Sequence, residues 1–464
     1  MVTAVSERQD FRVFLRQYEE DYPADVLRVE EELSADQDVT ALVWRLASQG
    51  RAEILICPRV VGLGAQLVTN VFASRQRVAR LLGTEVAGLH DAYQERARKA
   101  LDVRVLDDGP VTDQVEQRSI DLATIPMIKH FETDRAPYIT SGIICARHPA
   151  TGVSNLSYHR AMIHSPSELA TSLHSRGHLW RMLEACRASG APLRAAMIIG
   201  AHPLFMLAAS ARVGPGVDER TIAGGLFGEA LEVVPTPRYG IGVPATAEMV
   251  LEGVLDSEAV VEEGPFGEFT GYSSNRSTHT LFRVETVLRR REAVLIDVVG
   301  GNSAEHLNLA RIPRESEMAE KLKERFPSVT AVHYPNSGTH FHCYVALRQT
   351  RPGEARQVML GLLGWDPYLK TVVAVDADVD VADDASVLWA LATHFQPAQD
   401  LFLVEGLPGS PLDPSSSTAG TTSRLALDAT RSPSFEGTRI EITPRALGRA
   451  AEILRVATES AESR

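Results

Sequence analysis

The chain predicts a mixed α/β protein of several domains, with an α/β unit at each end and a strand-rich middle. Three observations predict it. The 464 residues are long enough for two or three hydrophobic cores. Helical and strand periodicities alternate near both ends, as α/β units require. Across residues 118–299, strand-like runs punctuated by glycine and proline take over, the texture of an antiparallel sheet or barrel.

Taken in order, residues 7–22 read as an amphipathic helix with Phe11, Phe14, Leu15 and Tyr18 on one face. A strand at 26–29, a helix at 39–47 and short buried strands at 54–57 and 67–70 follow. Helices at 74–82 and 89–101 close an N-terminal α/β domain, residues 1–115. Its Gly62-Leu-Gly64 lacks the third glycine and the strand-to-helix setting of a dinucleotide fingerprint. In the middle domain, 116–310, strands are expected at 138–146, 195–199, 231–234, 282–288 and 293–299, with one helix at 177–189. The third domain, 311–440, opens on a charged helix at 311–325. Strands at 329–333, 339–347 and 371–375 follow, with a further element at 355–361. Residues 407–422, rich in Pro, Gly, Ser and Thr, read as a loop. A terminal helix at 443–460 starts at Pro444 and lies within a last segment, 441–464. Its apolar stripe, Leu447, Ala450, Ile453, Leu454 and Ala457, needs a surface to cover, which predicts at least a homodimer.

Composition narrows the function classes. A net charge of −13 and the lack of Lys/Arg blocks with interleaved aromatics argue against nucleic-acid binding. The four cysteines, Cys57, Cys145, Cys186 and Cys343, show no CxxC spacing, which fits a reducing compartment. The first ten residues turn charged before an apolar run can form. The most apolar stretch, 195–210, is interrupted by His202 and Pro203 and is too short to cross a bilayer. A cytoplasmic protein without a membrane partner is expected.

Two stretches carry chemistry. The first runs from Val261 to Tyr272 and places Glu263 and Glu268 on either side of Gly264-Pro-Phe-Gly267, read as a turn. Carboxylates held close push their proton affinities apart, so one can act as an acid near neutral pH. The second is Asn155-Leu-Ser-Tyr-His-Arg160. Arg160 suits a two-pronged grip on a carboxylate, although a surface salt bridge is the commoner use of an arginine. Asn155, His178 and Glu219 could ligate a divalent metal, but the mixed set is not diagnostic from spacing alone. Other signals are weaker. His340 and His342, next to Cys343, alternate as on one strand face, yet no third ligand is evident. Asp376, Asp378 and Asp380 lack the glycine and glutamate of a calcium loop and read as a solvated strand end. The serines at 415–417 have no nucleophile elbow around them.

Taken together, these stretches resemble the UbiD family of reversible decarboxylases, closest to the cinnamic/ferulic acid branch. Asn155 with Arg160, His178, Glu219 in Gly214-Pro-Gly-Val-Asp-Glu219, and Glu263-Gly-Pro-Phe-Gly-Glu268 with Gly271-Tyr272 carry the resemblance. Residues 243–253 and 387–393 also look like family segments, and the likeness spans about Phe11 to Asp428. It implies a central split β-barrel that binds prenylated FMN. It implies Mn2+, with K+ nearby, held by Asn155, His178 and Glu219 against the cofactor phosphate. Ser157, Tyr158, His159, Arg160 and Ser210 would flank the cofactor. Arg160, Glu263 and Glu268 would be catalytic, acting on an α,β-unsaturated or aromatic acid that loses CO2 through a covalent adduct with the flavin. A flavin prenyltransferase would supply the cofactor.

The chain departs from that pattern twice. Gly364 stands where some members carry a phosphate-binding lysine, with Lys370 the closest cation in sequence. Ser410-Pro411-Leu412 replaces the Phe-Pro-Leu of the aryl-acid branch, which points to an aliphatic or bulkier acid. The alternative is a catalytically silent flavin- or acid-binding module; the intact Arg160, Glu263 and Glu268 argue against it. A plain FMN oxidoreductase would not need those three residues.

Overall fold

The computed structural model describes residues 5–173, 177–348, 350–416 and 420–462. The first helix, Phe11–Asp21, starts where the Asp10 side chain accepts a hydrogen bond from the Arg12 amide, and it buries Phe11, Leu15 and Tyr18. It covers a four-stranded sheet in the order Val26–Arg28, Ile54–Cys57, Leu67–Thr69, Leu295–Ile296. The last strand pairs parallel with Leu67–Thr69. So the run at 293–299, expected in the middle sheet, completes the N-terminal one instead. Periodicity announces a strand but not its partner. The run at 231–234 also leaves the middle sheet. It forms strand Glu232–Pro235, between Gly242–Pro244 and Arg104–Val105 in a separate three-stranded sheet.

The middle sheet is ordered Ser154–Tyr158, Ile143–Arg147, Leu193–Ile199, Met249–Val260, Thr280–Arg289, Glu168–Thr171, Ala161–Ser165, with Gln114–Glu116 also on Thr280–Arg289. Its longest strand, Met249–Val260, was missed in the sequence. Glu252, Gly253 and Asp256 break its alternation. Glu252 is fully buried and accepts from the amides of Arg238 and Tyr239. Gly253 sits at a bulge where a Cβ would lie 1.9 Å from the Arg283 carbonyl oxygen.

The topology explains where Arg160 lies. The first and last strands of this path, Ser154–Tyr158 and Ala161–Ser165, are separated in the chain only by His159 and Arg160. Two residues reach about 7 Å extended, so the sheet curls until its ends almost meet. Residues 139–142 bridge the gap: Gly142 accepts from the His159 amide, and Ile139 pairs with Ala161. No ladder joins the two end strands, so the barrel stays open along this seam.

Helix Ala304–Arg325 leaves this unit, capped by Ser303. It starts earlier than position 311 and runs through Pro313, whose ring and missing N–H usually break a helix. Arg311, Arg314 and Glu315 on it are buried rather than solvated. The C-terminal sheet follows in the order Val329–His333, His342–Leu347, Thr371–Asp376, Thr421–Ala429, Leu401–Pro408. The last two strands take both ends of the expected 407–422 loop, so the connection shortens to 409–420. Strand His342–Leu347 begins too late to hold His340, which lies in the preceding turn, so the two histidines do not share a strand face. The aspartate run forms an ion-pair group, since Arg431 contacts both Asp376 and Asp378.

The terminal helix Pro444–Glu462 lies free of the rest of this chain. Leu447, Ile453 and Leu454 on it are 57%, 57% and 66% exposed. No described helix is long and apolar enough to cross a membrane.

One buried histidine gives the fold a pH dependence. His202 caps helix Pro203–Ala208, its Nδ1 accepting from the Leu204 amide at 3.1 Å. Burial pushes its imidazole down from 6.5 to about 3, against a small upward pull from Asp10. The folded state holds it neutral while the unfolded chain protonates it below about 6.5. Its stabilisation is therefore complete above pH 6.5 and is lost as pH falls toward 3, a swing of about 5 kcal/mol. His202→Asn keeps a capping acceptor that does not titrate. The wild-type apparent Tm should fall more steeply than that of His202→Asn between pH 6.5 and 4.5; parallel curves would exclude His202 as the cause.

Candidate active site

At the seam, the Arg160 guanidinium sits between both acids. Its Nε and Nη2 donate to Oε1 and Oε2 of Glu263 at 2.8 and 3.1 Å, and its Nη1 donates to Glu268 Oε1 at 2.5 Å. Nη2 also donates to the Arg276 carbonyl at 3.0 Å. Below, the Phe266 ring centre lies 4.6 Å from the guanidinium carbon, a cation–π contact. Glu263 and Glu268 are both buried.

The scaffold differs from the expected turn. Residues 264–267 do not reverse the chain. After a cis Gly264-Pro265 bond, Phe266–Gly267 forms a short strand paired with Ser273–Ser274. The reversal falls at 268–272, where the Glu268 amide donates to the Tyr272 carbonyl. Glu268 is thus the first residue of a hairpin loop, and Glu263 precedes the strand.

Three residues the sequence did not reveal hold this hairpin. Asp134 accepts from the amides of Gly267 at 2.8 Å and Phe131 at 3.1 Å. The Phe131 ring lies so close to Gly267 that a Cβ there would be 2.3 Å from it. The Tyr138 hydroxyl accepts from the Gly264 amide at 3.2 Å. No motif announces them, because each acts on backbone or packing far along the chain.

Burial raises the Glu268 proton affinity; Arg160 opposes that, while Glu263 and Asp134 add to it. Arg160 touches both acids. It gives two hydrogen bonds to Glu263 and one to Glu268.

A second corner lies along strand Ser154–Tyr158. Asn155 Nδ2 donates to Glu219 Oε1, and the Leu156 amide donates to Glu219 Oε2, both at 2.8 Å. Glu219 opens helix Glu219–Phe227 behind the Asp218 cap. Burial lifts its carboxyl to about 7, and no lysine or arginine bonds it among the described residues. A buried carboxylate beside an amide oxygen, with no cation of its own, fits a hard or borderline divalent ion. His178 begins helix His178–Ala188 and shows no hydrogen bond to Asn155 or Glu219; burial lowers its imidazole. No cluster of three His, Cys, Asp or Glu stands ready for a metal among the described residues.

His159 Nδ1 faces the Ser172 carbonyl at 3.1 Å, and its Nε2 meets the Ser157 hydroxyl at 2.8 Å. A carbonyl only accepts, so Nδ1 carries a proton and donates to it. The Tyr158 hydroxyl donates to the Met206 carbonyl at 3.0 Å. Ser210 ends the turn after helix Pro203–Ala208, its amide on the Leu207 carbonyl. Lys370 is occupied elsewhere, 2.8 Å from Asp413 and 2.7 Å from Ser415 Oγ.

Comparison with known proteins places this geometry. Three family profiles cover residues 21–97, 103–303 and 307–429: the N-terminal, Rift-related and C-terminal domains of 3-octaprenyl-4-hydroxybenzoate carboxy-lyase. Anhydromevalonate phosphate decarboxylase of Aeropyrum pernix is 32% identical over 406 residues, 87% of this chain and 90% of that protein. The chain belongs to the UbiD family. It is a carboxy-lyase of that family by this kinship. The structure of HmfF from Pelotomaculum thermopropionicum with FMN superposes with a TM-score of 0.87 at 31% identity, covering 93% of this chain and 97% of that one. Vanillic acid decarboxylase from Sedimentibacter hydroxybenzoicus, in its open form, matches with a TM-score of 0.84 at 26% identity over 97% and 99% of the two chains. An evolved dimeric HmfF with prenylated FMN is 28% identical, with a TM-score of 0.85, over 95% of this chain and 100% of that one. A flavin cofactor is therefore a property of this fold family.

Proposed function

We propose that the chain releases CO2 from an α,β-unsaturated or aromatic carboxylic acid, with prenylated FMN as its cofactor and Arg160, Glu263 and Glu268 as its reacting residues. The observation that carries this reading is one guanidinium clamped between two buried acids at the seam of an open barrel.

The donor count supports it. Arginine has five N–H bonds, and four of those on Arg160 are used by Glu263, Glu268 and the Arg276 carbonyl. One N–H on Nη1 is left to orient a substrate carboxylate beside Glu268. Glu268 uses Oε1 for Arg160, which leaves Oε2 to carry a proton. Burial raises its proton affinity, which favours the protonated form that a donor needs. The proton passes from Oε2 to the carbon from which CO2 departs, and Glu263 keeps the guanidinium in place throughout. The flavin supplies the electron sink when bound.

Asn155, Glu219 and His178 would hold Mn2+ against the flavin phosphate, with K+ nearby, and Ser157, Tyr158, His159 and Ser210 would line the cofactor. The name of the Aeropyrum relative makes anhydromevalonate phosphate one candidate substrate. Ser410, without an aromatic ring, suits a non-aryl acid. Co-expression with a flavin prenyltransferase tests the reading. The expected result is a bound prenylated-flavin spectrum and CO2 release from at least one unsaturated acid of a panel. A loaded protein silent on every acid would favour the binding-module alternative.

The apolar stripe of the terminal helix supports assembly into a homodimer or larger homo-oligomer. Light scattering at micromolar concentration should give a multiple of the 50.6 kDa chain, and a 50.6 kDa particle would overturn this.

A further inference from the structure

One group of buried cations has no part in the mechanism above. Arg311 and Arg314 lie on one face of helix Ala304–Arg325 and are 0% and 2% exposed. The Arg314 guanidinium sits 4.8 Å from the Tyr368 ring centre, with Arg212 5.4 Å from the same ring. Arg311 Nε approaches His340 Nδ1 at 3.4 Å. His340 in turn stacks on Phe269, ring centres 4.4 Å apart. Phe269 is the residue after Glu268. The cluster therefore begins one residue beyond the acid of the site.

Its charges do not balance. Arg314 pairs with Asp366. Of the other nearby acids, Glu315 is engaged by Arg75 and Glu317 by Lys321. Neither Arg311 nor Arg212 has a carboxylate within ion-pair distance among the described residues. Arg311 Nη1 rests on the Tyr334 carbonyl and the Asn336 side-chain oxygen at 3.0 and 2.8 Å, while its buried Nη2 has no partner. His306 and His340 add no negative charge, and burial disfavours their protonation. Three guanidiniums thus face one carboxylate, which leaves two positive charges beside a wall of aromatic rings. Arg311 holds its charge buried without a carboxylate, which is costly, while Arg212 holds its own at the surface, so both can answer an anion. A cavity of about 310 Å³ reaches this cluster at Arg314; Arg212, Lys321 and Trp365 line it with two acids, Asp366 and Glu317, the latter paired with Lys321.

We propose that this cluster is a subsite for a second anionic group of the substrate, a phosphate monoester at the end remote from the departing carboxylate. The proposal rests on the decarboxylase reading above and names its substrate class. Near neutral pH a phosphate monoester carries close to two negative charges, which matches the two unanswered cations better than a single carboxylate. Guanidinium forks also suit its oxygens.

The flavin also carries a phosphate, and the experiment separates the two sources. A short unsaturated acid bearing a terminal phosphate and its unphosphorylated counterpart are compared on the prenylated-flavin-loaded enzyme, and FMN affinity is measured by titration. Wild type should favour the phosphorylated acid in kcat/KM. Arg311→Gln and Arg212→Gln should each cut that preference by about 10–100-fold, the scale of a hydrogen bond to a charged group, with FMN affinity held within about twofold. Arg212 is exposed, so its variant tests the proposal even if Arg311→Gln fails to fold. Inorganic phosphate should also raise the apparent Tm of wild type but not of Arg212→Gln. Loss of FMN affinity with the preference intact would assign the cluster to the cofactor phosphate and overturn the proposal. Equal handling of both acids by wild type, without a phosphate-dependent Tm shift, would overturn it as well. Absence of CO2 from either acid would instead sink the decarboxylase reading. The phosphate-dependent Tm shift would still decide the subsite.

Discussion

Glu268→Gln should lower CO2 release and product protonation by at least ~100-fold, the usual size of a general-acid contribution. The side chain keeps its length and can still accept from Arg160 Nη1, so the hairpin at 268–272 keeps its shape. What it loses is the acidic proton. Burial raises the wild-type carboxyl against the downward pull of Arg160, and the neighbouring Glu263 and Asp134 push upward too, so the protonated form is favoured over that of an ordinary glutamate. Activity that depends on this form is present at lower pH and fades as pH rises through the raised value. The variant should lack that limb. Asn155 and Glu219 lie elsewhere and are untouched, so flavin binding should survive. Steady-state decarboxylation and deuterium uptake from D2O, both on fully loaded protein, are the measurements. Near-normal rates in both would remove Glu268 from the chemistry.

The acids and the arginine were legible because they stand in a dense local pattern, and the hairpin brings the letters of one stretch together. What lay across the chain was not legible. Asp134 holds the Gly267 amide from more than a hundred residues upstream, and nothing in its own surroundings marks it. Strand Met249–Val260 hid because a buried glutamate and a bulge glycine interrupt its alternation, both satisfied only by tertiary neighbours. The chain reversal was placed at Gly264-Pro265 because that pair favours turns. The paired Phe266–Gly267 strand moves it to 268–272, and cross-strand pairing is invisible to local propensity. All four N-terminal helices were legible, since capping and a 3.6-residue period are local signals, but only two were placed within a residue at both ends; the expected 7–22 starts at Phe11 and the expected 89–101 ends at Arg98. The cation cluster around Arg311 escaped for the opposite reason: a helix rich in charge reads as solvated until its neighbours bury it.

Arg160→Met should be the most damaging substitution at the seam, in stability as well as in turnover. The side chains of Glu263 and Glu268 are 0% and 8% exposed, and Arg160 is the cation that contacts both. Methionine fills much of the arginine stem but leaves two buried carboxylates without the cation that contacts both. Breaking a buried ion pair from one side costs about 3–5 kcal/mol, because the stranded charge stays desolvated. The loss has a definite pH dependence. Without the guanidinium, burial and mutual repulsion both raise the proton affinity of the pair above that of the unfolded chain. The folded variant then binds more protons than the unfolded one. Its stability is greatest below the ordinary carboxylate range and is lost as pH rises through the raised values. The Tm deficit against wild type should therefore be small near pH 5 and large near pH 8. Turnover should fall at every pH, since the N–H that orients the substrate carboxylate is gone. Apparent Tm of both proteins at pH 5, 6.5 and 8 checks the stability claim. A deficit that does not change with pH would mean that Arg160 contributes packing rather than charge.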